Sequence, residues 1–269
     1  MADRPNILFI MADDHAAHAM SCYASRVNIT PNLDRIANEG MRLDNCFCTN
    51  SICTPSRATI LTGKYPHLNG AVTFNAMDPT HVTFPQLLRY AGYYTGMIGK
   101  WHLHTDPVGF DYWNVVPGQG LYFDPDFNEM GRPQEYEGYV TDIITDITLK
   151  ALEDRPEDRP FCMLYHHKAP HDPFAYDEKH AHLFEDEEIL EPENLFDDYA
   201  NRSEVLKQST QVIGSETPGH TLYEEKTGHI TDPVERRKAQ YQIYMKSYLR
   251  CVASIDDNVG RVLDYLDEN

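Results

Sequence analysis

The sequence predicts an α/β fold built on a largely parallel sheet flanked by helices. Three observations carry that expectation. Short apolar runs alternate with helix-period segments along the chain. Helix-capping and helix-stopping residues punctuate the segments between them. Polar, chemistry-bearing residues stand just past the apolar runs, at the strand ends where open α/β sheets bind ligands. At 269 residues the chain has room for one large domain or two small ones.

The elements follow in order. Asn6 to Met11 (N-I-L-F-I-M) reads as a buried first strand, ending in Asp13, Asp14 and His15. Thr30-Pro31-Asn32-Leu33 opens a helix, with Thr30 as N-cap and Pro31 at the first helical position, and Gly40 stops it. Pro55 suits the first turn of a second helix and Gly63 its end, which puts Cys53 at or just before a helix N-terminus. Thr83-Phe84-Pro85-Gln86 is a capping signal for a helix that stops at Gly92. A strand over Tyr94 to Ile98 runs into Gly99-Lys100-Trp101-His102. Tyr139 to Leu152 is helical by period, with Ile143, Ile144, Ile147 and Ala151 inward. Phe161 to Tyr165 is a strand that delivers His166-His167-Lys168-Ala169-Pro170-His171. Residues 174–232 form an acidic, weakly periodic stretch, expected to be a solvated excursion, with a substrate-facing lid as the functional alternative. Asp232-Pro233 opens a long helix or helix pair. An α/β chain that closes on a helix at Asp267-Glu268-Asn269 is expected to hand over to further strands.

Composition narrows the partners. A formal net charge of −19 argues against nucleic acid and against an anionic membrane surface. An anionic substrate then needs a local cationic pocket. No apolar run reaches membrane-span length, and Asp13 and Asp14 follow too soon after Ile7 to Ala12 for a secretory signal. The chain as written reads as cytoplasmic, or as periplasmic or secreted if a leader has been removed. Six cysteines give no disulfide framework, and the paired C-x-x-C knuckles of a zinc site are absent.

The chemistry concentrates around Cys53-Thr54-Pro55-Ser56-Arg57. A helix N-terminus favours anions and lowers a thiol pKa, and Arg57, one turn on, offers a fork suited to tetrahedral oxyanions. A cysteine phosphatase needs its arginine six positions after the cysteine, where this chain has Thr59. A structural cysteine with a surface arginine is the bland alternative. Asp13 and Asp14 suit Ca²⁺ or Mg²⁺, or else a turn pair. Lys100 and His102 can bind an anion and move a proton, or else be a surface lysine and a satisfied histidine. His171 sits between Pro170 and Asp172 in a rigid turn, and His166 and His167 are more ambiguous.

The run C-T-P-S-R-A-T-I-L-T-G resembles the sulfatase signature, and P-N-I-L-F-I-M-A-D-D, T-P-N-L-D-R-I-A-N-E-G, G-K-W-H-L and K-A-P-H follow in that family's order. The resemblance implies an alkaline-phosphatase-like, mostly parallel mixed sheet and hydrolysis of sulfate monoesters, with carbohydrate esters favoured. It implies that a maturation enzyme oxidises Cys53 to Cα-formylglycine, the nucleophile. Asp13, Asp14 and the modified Cys53 would hold calcium, or magnesium. Arg57 would orient the nucleophile, His102 assist proton removal, Lys100 bind sulfate or the leaving oxygen, and His171 contact them from the other side. A phosphonate monoester or phosphodiester hydrolase of the same superfamily, or an unoxidised binding module, are the alternatives. The family's second metal pair and a further lysine have no match after residue 200. Residues 1–269 are therefore expected to be the N-terminal catalytic part of a sulfatase, partnered by a missing C-terminal portion.

Overall fold

The structure, a computed structural model, describes residues 4–209, 212–213 and 221–269. Residues 210–211 and 214–220, part of the acidic stretch, lie outside the described residues. The order is β1 (Ile7–Met11), α1 (Pro31–Glu39), α2 (Cys53–Thr62), α3 (Pro66–Asn69), α4 (Phe84–Tyr90), β2 (Tyr94–Lys100), β3 (Tyr112–Val116), β4 (Asp126–Glu129), β5 (Arg132–Glu135), α5 (Val140–Glu153), β6 (Phe161–His166), α6 (Glu204–Lys207), α7 (Thr221–Thr227) and α8 (Pro233–Glu268). Among the described residues, six strands form one sheet in the order β1-β6-β2-β3-β4-β5. β1, β6, β2 and β3 run parallel, and β4 and β5 add an antiparallel margin.

Alternation along the strands feeds two cores, one on each face. On β6, Met163 and Tyr165 join a core with α5 and α8, while Cys162 and Leu164 join the other with Ala58 and Leu61 of α2. Ile98 and Met97 of β2 divide the same way. The result is a three-layer sandwich in which α5 and α8 cover one face and α2 and α4 the other. β2 extends two residues beyond its expected end, so Lys100 is a strand residue. Gly99 permits this: its φ is 93°, and a Cβ there would overlap the carbonyl oxygen of His166, its register partner on β6.

Most helix ends fall where the sequence places them. At the start of α4 the Gln86 side chain accepts from Thr83 N at 2.9 Å, as the capping signal predicts, and Gly63 closes α2 with φ 65°. Thr30 does occupy the N-cap position of α1, but it makes no capping bond. Its hydroxyl is engaged with Ser21 and Asp34. The capping oxygens come from α8, where the Asp256 carboxylate accepts from Leu33 N at 2.8 Å and from Asn32 N at 3.3 Å. Asp256 is buried, so an alanine there leaves two orphaned amides. Asp256→Ala is expected to cost about 1–3 kcal/mol by urea denaturation.

The acidic stretch is less solvated than expected. Phe174, Asp177, His180 and Ile189 are buried. Gln242 of α8 brackets Ile189 with two backbone bonds, Tyr241 Oη donates to the Leu190 carbonyl, and Arg250 donates to the Leu183 carbonyl. The many acidic residues disguised an apolar anchor. α8 itself is one continuous 36-residue helix, capped by Asp232.

Candidate active site

Four segments meet at the carboxyl edge of the parallel strands. Asp13 and Asp14 follow β1, Lys100 ends β2 with His102 just beyond, His166 ends β6 with Lys168 to His171 beyond, and Cys53 and Arg57 stand on the first turns of α2. Backbone bonds fasten them together: His167 N donates to Met11 O at 2.7 Å and Asp13 N to Ala169 O at 3.1 Å. Tyr248 of α8 holds the Asp14 loop, accepting from Ala16 N and donating to Asp14 O. Asp14 (φ 64°) and His102 (φ 51°) both sit in the left-handed region, a strained conformation that clusters at functional sites.

Asp13 is the hub. Its buried Oδ2 meets Lys100 Nζ at 2.7 Å and Arg57 Nη2 at 2.8 Å. Burial alone would raise its pKa, but the two cations outweigh that and hold it at about 2. Arg57 is almost fully buried. It also donates to the Lys100 carbonyl and lies 3.3 Å from His166 Nδ1. Lys100 is wholly buried, and a second of its three N–H donors goes to Gln119 Oε1. Burial lowers the Lys100 pKa, against the pull of Asp13.

Cys53 opens α2, as its spacing predicts. His102 Nδ1 lies 3.1 Å from its Sγ, and Thr54 Oγ1 donates to the His102 carbonyl at 2.9 Å. Burial first, and then the charge of Lys100, lower the His102 pKa to about 4. The ring is therefore neutral near pH 7, with Nδ1 turned toward position 53.

Asp14 is exposed at the mouth. Burial of its carboxyl and the neighbouring Asp13 charge raise its pKa. His171 Nε2 lies 3.9 Å from Asp14 Oδ2. Among the described residues, ligand atoms of Asp13, Asp14 and His171 fall within 4.8 Å of one another. Cys53 is outside that group, and His171 stands in the third place. None of the six cysteines is joined in a disulfide.

Spacing alone missed four contributors. Gln119, in a Gly-flanked turn past β3, was hidden because β3 itself was not read. Thr54 carries no spacing signal of its own, and Tyr248 fits the apolar face of the long helix. Of the two ambiguous histidines, His166 touches Arg57, whereas His167 is buried with neither ring nitrogen hydrogen-bonded. Burial holds the His167 pKa at about 3. This group stays neutral in the fold while the unfolded chain protonates. Its share of stability is intact above about pH 6.5 and is lost as pH falls toward about 3, at roughly 1.4 kcal/mol per pH unit. The thermal midpoint should fall below pH 6.5, and less steeply in His167→Gln.

The sulfatase family model matches residues 5–269. The chain belongs to the sulfatase family. It is 41% identical to the N-acetylglucosamine-6-O-sulfatase of Bacteroides thetaiotaomicron, in a match covering 98% of this chain and 55% of that protein. The solved structure of BT4656 in complex with its substrate D-glucosamine-2-N,6-O-disulfate superposes with a TM-score of 0.92 at 39% identity. That superposition covers 99% of this chain and 63% of BT4656. Ps i-CgsB in complex with k-i-k-neocarrahexaose shares the fold, with a TM-score of 0.73 at 19% identity over 99% of this chain and 55% of that one. This sulfatase-family chain spans about half the length of the curated relatives it matches. None of its described helices is long and apolar enough to cross a membrane.

Proposed function

We propose that this chain carries the nucleophile side of a site that hydrolyses a sulfate monoester at the 6-position of a glucosamine-type sugar. The observation that carries the reading is the placement of Cys53. It stands at the N-terminus of α2, 3.1 Å from a neutral His102 whose pKa the nearby charges of Lys100 and Arg57 help to lower. The sugar class is supported by the N-acetylglucosamine-6-O-sulfatase relative and by the BT4656 complex.

Conversion of Cys53 to Cα-formylglycine by a maturation enzyme supplies a hydrated aldehyde, whose two hydroxyls allow attack on sulfur and later release of sulfate. His102 Nδ1 takes the proton from the hydroxyl at position 53. The α2 N-terminus, Arg57 and Lys100 stabilise negative charge gathering on the sulfate oxygens. His171 faces the same space from the β6 side and contacts the sulfate or the leaving oxygen.

The donor set fits a divalent cation. Two adjacent carboxylates, one with a pKa raised by desolvation and then by its charged neighbour, and an imidazole converge within 4.8 Å. Asp13, Asp14 and His171 would hold Ca²⁺, or Mg²⁺, with the modified residue 53 close by. Such a cation polarises a sulfate oxygen and offsets its charge.

Release of inorganic sulfate from N-acetylglucosamine-6-sulfate by the protein purified from its native host tests the reading. A phosphodiester with a matched leaving group is the control. Faster turnover of the sulfate supports the proposal. Faster turnover of the phosphodiester reassigns the site to the phosphoryl-transfer branch. Turnover of neither favours a binding module.

A further inference from the structure

Lys168 is an unusual residue for its location. It is 3% exposed, and among the described residues no carboxylate lies within ion-pair distance of its Nζ. A buried cation is costly unless it is paired or hydrogen-bonded. Its Nζ lies 4.8 Å from the centroid of the Tyr122 ring and 3.4 Å from the Asp172 carbonyl oxygen. The Tyr122 hydroxyl in turn donates to the His171 carbonyl. Lys168 and Tyr122 therefore grip the carbonyls of residues 171 and 172 in succession, while His171 N donates back to Lys168 O at 3.3 Å.

That grip fixes the His171 ring. His171 Nδ1 is 2.6 Å from Asp172 Oδ1 and 2.9 Å from the Asp172 carbonyl, both of them acceptors. Nδ1 must carry the proton, and Nε2 is left to face Asp14 at the mouth of the site. We infer that Lys168 is a positioning residue, which, with Tyr122, locks the 171–172 turn so that His171 presents Nε2 to the site. Its consequence for turnover rests on the hydrolase reading above. The alternative is that Lys168 only stabilises the loop.

The test is ¹⁵N-histidine NMR on the protein and on Lys168→Met, with His171 assigned from His171→Ala. The Nδ1-protonated pattern of His171 should be present in the parent and in Lys168→Arg. In Lys168→Met it should collapse toward a tautomer average while the other histidines keep their signals. Tyr122→Phe should shift the same signals, and it decides the matter if Lys168→Met fails to fold. An unchanged His171 in Lys168→Met, or in Tyr122→Phe where only that variant folds, overturns the inference. For turnover, Lys168→Met should lower kcat/KM roughly ten- to a hundredfold, but under about threefold in a His171→Ala background. Additive losses would show that Lys168 acts independently of His171. A parent protein without sulfatase activity would sink the hydrolase reading and leave the NMR result to judge Lys168.

Discussion

Replacing Cys53 with alanine is expected to lower turnover of the sulfate ester by roughly four orders of magnitude or more, the scale on which removing a covalent nucleophile acts. Stability should hardly change. Cys53 is only half-buried, and its Sγ has the His102 ring as its polar neighbour. No core methylene is lost, and the α2 N-terminus keeps its backbone. The separation of the two effects is the point of the experiment. Initial rates with N-acetylglucosamine-6-sulfate and a urea melt on the same sample check it. Retained turnover in Cys53→Ala would remove the residue from the chemistry. A large stability loss would return it to the bland reading of a structural cysteine.

The second large effect is on stability. Asp13→Asn leaves Arg57 and Lys100, both almost wholly buried, without their shared carboxylate. Breaking a buried ion pair from one side costs about 3–5 kcal/mol, because the stranded charge keeps its desolvation penalty. Two stranded cations put this case toward the upper end. Denaturation should be followed with a chelator present in both samples, so that altered cation binding does not add to the difference. A loss below about 1 kcal/mol would mean that water or Gln119 satisfies the cations without Asp13.

The parts of this fold legible in the sequence are those whose signals are local. Pro31 and Gly40 bound α1, the Thr83–Gln86 pair opens α4, Gly63 ends α2, and Asp232 caps α8, all within a few residues of the ends they define. β1 and β6 are legible because parallel strands read as continuous apolar runs, although only β6 is buried throughout; β1, at the edge of the described sheet, is half-buried at every position. The β4–β5 hairpin is not. Its segments, D-F-N-E and R-P-Q-E, have no apolar face of their own, and pairing with β3 sets their state. The site divides on the same line. Cys53, Arg57, Asp13, Asp14, Lys100, His102 and His171 stand out through motif and strand-end position. Their partners Gln119, His166 and Tyr248 are brought in by contacts across the fold, which spacing does not encode. The Asp256 cap on α1 is the clearest example, since the signal for a helix start lies on the last helix of the chain.

The central claim is that Cys53 is the precursor of the nucleophile. The mass of the tryptic peptide Leu43 to Arg57, from active protein made in its native host, tests it most directly. The account predicts an aldehyde, Cα-formylglycine, in place of the Cys53 thiol. An intact thiol in protein that still releases sulfate would contradict it.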